Sequence, residues 1–264
     1  ESEKDKITHK TINYVKDILS DAIPATISLI FIFLAETINI IFIGRYNEPN
    51  LIAGIGLGTV YINFTGYVLG LGLIGGIDTI CSQSFGAGEY KKVGIFTNIA
   101  RIVIFLFFLI FGIPTLLSTY YVMTGIGQSE MISTISSRYC TYMLPGLFFS
   151  LQFNISGRYL QAMNIFQPMT YTTLATMVLH PLWCYLFIDI YELDVAGAGI
   201  AMGITQFLNW LILSIYIHVA NNYPESLFYY DAEVTNYDNF ITYLKVAIPS
   251  GIVITARSEE HTSE

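Results

Sequence analysis

Apolar runs of about 20 residues recur six times in this chain, at roughly 22–43, 55–78, 97–117, 139–160, 170–191 and 196–219. That is the length a helix needs to cross the hydrocarbon of a bilayer. A seventh run starts near Phe240 and stops at Ala256. In lipid no water is present to satisfy a free N–H or C=O, so each run must bond its own backbone, as a helix does. The pattern predicts an all-α polytopic membrane protein, a six-helix transmembrane bundle plus the start of a seventh helix. Charged residues make up 12% of the chain, about half their usual share in a soluble domain, which argues against a soluble enzyme.

Four further stretches complete the expected organisation. Residues 1–21 read as a cytoplasmic amino-terminal segment, 220–239 as a cytoplasmic loop after the six-helix unit 22–219, and 240–256 as a truncated seventh helix. The chain opens on Glu1 without a signal-peptide pattern, and reads as a fragment at its front. At the other end "RSEEHTSE" (257–264) interrupts an apolar run. Written as codons it is AGA TCG GAA GAG CAC ACG TCT GAA, which looks like a sequencing-library adapter translated in frame. Setting it aside removes one Arg and three Glu, so the formal charge becomes −6 instead of −8. The remaining acids are spread over loops, and nothing in them addresses nucleic acid.

Orientation follows from the cations. With the amino terminus inside, Lys4, Lys6, Lys10, Lys16, Lys91, Lys92, Arg101, Arg158 and Lys245 are cytoplasmic, and only Arg45 and Arg138 fall outside. Cytoplasmic loops carry the excess of Lys and Arg in membrane proteins. Cys81, Cys140 and Cys184 lie in or beside apolar segments without CxxC spacing, as small buried hydrophobes do. The second run is rich in glycine, with GxxxG pairs at Gly66–Gly70 and Gly72–Gly76. Small residues at that spacing let helix backbones approach closely. Prolines at 24, 145, 181 and 249 fall in or at the ends of helices and favour kinks.

One residue defies the apolar pattern. Glu36 lies in the first run, roughly 21 Å in from its start at a rise of 1.5 Å per residue, with Asn39 one turn on. A charge at that depth costs several kcal/mol, so an intramembrane acid is a functional candidate by default. It can bind and release a proton, or meet a cation, if it faces a wet crevice. The bland alternative is a protonated acid that only locks helices together. His180, followed by Pro181, is a second titratable candidate within a span; the alternative reading is a neutral ring bonded to a carbonyl that Pro181 leaves free. Asn63, Gln152, Gln206 and Asn209 are amides in spans, each needing a partner across helices. Together they imply a polar interior. The numerous aromatics (18 Phe, 19 Tyr) are expected to face lipid or form interfacial belts.

Four stretches, in order, resemble one family. "IDTICSQSFGAGEYKKVG" (77–94), "RYLQAMNIFQP" (158–168), "DVAGAGIAMGITQFLNW" (194–210) and "YLKVAIPSG" (243–251) are similar to segments of the MATE transporters, the multidrug and toxic compound extrusion exporters, of eukaryotic type. The resemblance implies two six-helix lobes around a cleft that opens alternately to each side. It further implies export of small organic cations in exchange for H⁺ or Na⁺, with no cofactor. This chain would hold the amino-terminal lobe and lack the second. Where prokaryotic relatives place an Asp five residues before the exit glycine, this sequence has Asn39, and the acid is Glu36, three residues earlier and on nearly the same face. In the fifth span the family's Asn and Asp fall near His180 and Cys184, so the prokaryotic proton site does not carry over whole. Glu36, Asn39 and His180 are therefore the candidates for coupling or substrate. Asp78, Gln83, Gly86, Arg101, Arg158, Gln161 and Pro168, in or near the motifs, read as structural: they order loops, cap helix ends and brace the lobe.

Rival classes fit less well. An intramembrane protease would show Gly-x-Ser-x-Gly, HExxH or Gly-x-Gly-Asp, and none is present. A channel or seven-helix receptor leaves the four ordered motifs unexplained. A lipid-linked-sugar flippase of the same superfamily would line its cleft with Arg or Lys, which here avoid the span centres. Whether the plasma membrane or an endomembrane houses the protein is not encoded.

Overall fold

The computed structural model describes residues 23, 26, 27, 30, 31, 33–220, 222–227 and 232–260. The expected amino-terminal segment (1–21) and residues 261–264 of the adapter-like tail lie outside them. Every regular element among the described residues is helical. In chain order they are α1 (described continuously over Phe33–Gly44), α2 (Pro49–Gly86), α3 (Tyr90–Leu117), α4 (Thr119–Gly125), α5 (Glu130–Ala162), α6 (Gln167–Ile190), α7 (Asp194–Ala220) and α8 (Tyr237–Glu260).

Among the described residues, α2, α3, α6 and α7 are long and apolar enough to cross a membrane. The fourth expected span belongs to α5, a helix of 33 residues that is more polar than these. The reason is its place. α5 runs through the middle of the bundle with α2, α3, α4 and α7 packed around it, so much of its surface meets protein instead of lipid. Ser129 starts it by accepting from the Ile132 N–H at 3.3 Å, and Pro49 starts α2 at a position where no helical donor is lost. α8 continues as backbone helix past Ala256 to Glu260.

Glycine sets how closely α2 and α5 approach. A methyl group built on Gly54 would lie 2.3 Å from the Ile135 side chain, and on Gly66 or Gly70 it would lie 2.6 Å from Leu147 or Leu151. The same closeness lets Ser136 Oγ donate to the Gly54 carbonyl at 2.8 Å, and Cys140 Sγ to that of Gly58 at 3.6 Å. α2 passes through a wide turn at Asn63–Val68, resumes at Leu69, and breaks briefly at Gly75 before continuing from Gly76. On its other side Gly72 meets Gly251 of α8 backbone to backbone.

The helices alternate in direction, so the bundle has two chemically distinct ends. At one, Arg45 Nη1 pairs with Asp189 Oδ2 at 2.8 Å and Tyr46 donates to the Ile188 carbonyl. At the other, Arg158 pairs with Asp78, and Lys91 with Glu233 at 3.1 Å.

Candidate functional site

Three helices converge on a polar centre. α1 contributes Phe31, Ala35 and Asn39, spaced four residues apart and so on one face. α6 contributes Thr173, Thr176, His180 and Cys184, and α7 contributes Thr205, Gln206 and Asn209. Asn39, His180 and Cys184 are almost wholly buried, and buried polar groups persist only when paired. Cys184 Sγ donates to Asn39 Oδ1 at 3.2 Å and lies 3.4 Å from His180 Nε2. His180 Nδ1 bonds Thr205 Oγ1 at 2.8 Å, and the Ala35 carbonyl is within reach of the same ring. A second network adjoins it: Thr176 Oγ1 donates to Asn209 Oδ1 at 2.6 Å, and Asn209 Nδ2 to Gln206 Oε1 at 3.4 Å.

Beside the second network lies a narrow crevice, lined by Phe31, Ala35, Thr176, Thr205, Gln206 and Asn209 among others. The Asn39 Nδ2 group has no partner among the described residues. Chemically the centre offers hydroxyl and amide oxygens, an imidazole and a thiol, all uncharged or able to be so. It suits a proton or a weakly held cation better than an anion.

Glu36 stands apart from this centre. It is half-buried, does not line the crevice, and lies within electrostatic range of the Tyr67 and Tyr139 phenols on α2 and α5. The 60° or so between positions i and i+3 on a helix is enough to send Asn39 towards α6 and α7 and Glu36 towards α2 and α5. Sequence reasoning put both on nearly one face. The structure brings together Asn39, His180, Gln206 and Asn209; it leaves Asn63 exposed on α2 and Gln152 buried within α5.

The motif residues occupy the far end of the bundle. Arg158 of α5 pairs with Asp78 of α2, Arg101 Nη2 donates to Ser156 Oγ at 3.2 Å, and Gln161 Nε2 reaches Met169 Sδ at 3.6 Å. Pro168 opens α6, Gly86 closes α2, and Gln83 is exposed with its carbonyl accepting from Ala87.

Comparison with known proteins matches this arrangement. The MatE family profile covers residues 24–186. The chain belongs to the MATE family. Relatives include Multidrug and toxin extrusion protein 1 of Danio rerio, 32% identical over 80% of this chain and 36% of its own length. Protein DETOXIFICATION 9 of Arabidopsis thaliana is 27% identical over 96% of this chain and 51% of its own. Among solved structures, the eukaryotic MATE transporter AtDTX14 superposes with a TM-score of 0.86 at 20% identity, over 93% of this chain and 54% of that one. The chain thus spans about half the length of these MATE proteins or less. MATE proteins are multi-helix integral membrane transporters rather than enzymes.

Proposed function

We propose that this chain is the amino-terminal lobe of a secondary antiporter. The complete protein exports small organic cations in exchange for H⁺ or Na⁺, by alternating access between this lobe and a second one, with the amino terminus cytoplasmic. One observation carries the reading: a half-buried carboxyl, Glu36, sits one turn from a buried polar centre in an otherwise apolar bundle. An acid is retained at such depth where its charge state is used. Organic cation and coupling ion then compete for it, which links export of one to entry of the other. Among the described residues no Arg or Lys lines the crevice, which supports cationic cargo. The cation excess at the Lys91 end supports the orientation.

The test uses the uninterrupted protein, with both lobes, in vesicles carrying an imposed pH or sodium gradient. Glu36→Gln should lower gradient-driven exchange by about tenfold or more with expression unchanged. Exchange at the parent rate in that variant would dismiss Glu36 as the coupling acid. The gradient that drives the parent identifies the ion.

A further inference from the structure

The glycines of α2 face two ways and are met differently. Towards α5 they are notches with a knob in each: a methyl group on Gly66 or Gly70 would strike the Leu147 or Leu151 side chain. Towards α8 the contact is flush. A methyl group on Gly72 would lie 2.6 Å from the Gly251 Cα, and one on Gly76 would lie 3.1 Å from Ala247 Cβ and from the Tyr243 ring. Positions 243, 247 and 251 repeat every four residues and share a face of α8, and Tyr243 and Ala247 are fully buried there. A hydrogen bond crosses this seam: Tyr243 Oη donates to the Leu73 carbonyl at 2.8 Å.

The two seams of α2 differ in what it takes to part them. A knob seated in a notch must be drawn past the backbone that encloses it, and close-packed side chains transmit such strain instead of yielding. Glycine set flush against glycine separates with no side chain changing rotamer. Glycine and alanine also uncover little apolar surface, so the gap costs little whether lipid or water fills it. The larger restraint is Tyr243, whose ring lies against Gly76 and whose hydroxyl would lose Leu73. Each helix carries a weak point beside the seam. α2 breaks at Gly75, and α8 holds Pro249, which has no N–H to give the Lys245 carbonyl. The seam opens at the end of the bundle where Asp78, two residues after Gly76, pairs with Arg158.

We propose that the α2–α8 seam is the surface along which the second lobe parts from the first at the Lys91 end, and that Tyr243 is its latch. This rests on reading the complete protein as a two-lobed antiporter in which α8 begins the second lobe. With the Tyr243–Leu73 bond made, the cleft is shut towards Lys91. Breaking it leaves one donor and one acceptor, and water satisfies both as the cleft opens.

The test uses the uninterrupted protein in proteoliposomes, with radiolabelled tetraethylammonium as the cation. Gly76→Cys with Ala247→Cys sets two β-carbons 3.1 Å apart, a few tenths of an ångström from the span of a disulfide. Oxidation of this pair should abolish exchange and reduction should restore it, while each single variant ignores the oxidant. A second arm needs no transport: a water-soluble maleimide added on the Lys91 side should alkylate Ala247→Cys about 3- to 20-fold faster when Tyr243→Phe removes the bond and keeps the ring. Parent-like exchange in the oxidised pair overturns the parting surface, as does failure of the disulfide to form. Unchanged alkylation with Tyr243→Phe overturns the latch. If the parent itself moves no tetraethylammonium under a pH or sodium gradient, the antiporter reading falls, and the alkylation arm still decides the seam. If parent and oxidised pair exchange alike, that reading stands and the seam alone fails.

Discussion

Thr176 illustrates what a single hydroxyl does in this bundle. It lies in bonding range of the Thr172 and Thr173 carbonyls of its own helix while donating to Asn209 on α7 at 2.6 Å. Thr176→Val keeps the shape and removes the interhelical bond, so it should cost about 0.6–1.7 kcal/mol, read as a lower midpoint of thermal unfolding in detergent. Thr176→Ser should restore most of it. Such residues explain which parts of the centre were legible. Amides and a histidine in a hydrophobic run stand out because they cannot satisfy themselves, and Asn39, His180, Gln206 and Asn209 do meet at the α1–α6–α7 junction. Thr176, Thr205 and Tyr67 gave no signal. A helical hydroxyl can bond the carbonyl four residues back, as Thr205 does to Ala201, so its presence in a span implies nothing. Cys184 was read as a small buried hydrophobe; it is buried, yet its thiol also ties Asn39 to His180.

At the scale of elements, α2 and α5 fit through absent side chains. Gly54→Val should destabilise the bundle by about 1–3 kcal/mol through overpacking, because its first carbon would land 2.3 Å from Ile135. Gly56, two residues on, has nothing within 4 Å. Gly56→Ala should be neutral or stabilise by up to about 1 kcal/mol through lost backbone freedom in the unfolded chain. Equal effects from the two substitutions, measured as thermal midpoints, would contradict this packing. The GxxxG spacing was legible as close approach, and the knobs that fill the gap, Ile135, Leu147 and Leu151, were not. One helix also outlasts the span that hydropathy assigns to it. The second was expected to stop at Asp78, but α2 continues to Gly86, since a helix persists while its backbone bonds do, whatever the lipid depth.

Across the whole molecule, the segment after α7 is fastened to the end of the bundle. Ser226 is fully buried, its hydroxyl 2.5 Å from that of Tyr159, and Tyr223 packs edge-on against Phe85. Gly94 of α3 makes room: a methyl group there would lie 2.5 Å from the Ser226 carbonyl oxygen. Gly94→Val should lift residues 222–227 and raise their cleavage in limited proteolysis, whereas Gly86→Ala, with open space around it, should not. Unchanged cleavage in Gly94→Val would show that the segment does not depend on this seat. The loop was legible as a connection after the six-helix unit, and its seat on α3 was not.

The sequence by itself determined that the chain folds as a bundle of membrane-length helices, and its ordered motifs pointed to the family. Hydropathy, helix breakers and motif order are properties of neighbouring residues, and they survive reading in one dimension. Which polar groups satisfy one another was decided only by the tertiary structure. Asn39 and Cys184 are 145 positions apart, and a turn of 60° about α1 separates the surroundings of Asn39 from those of Glu36. Hydropathy states what it costs to bury a polar atom; only packing supplies the partner that offsets it.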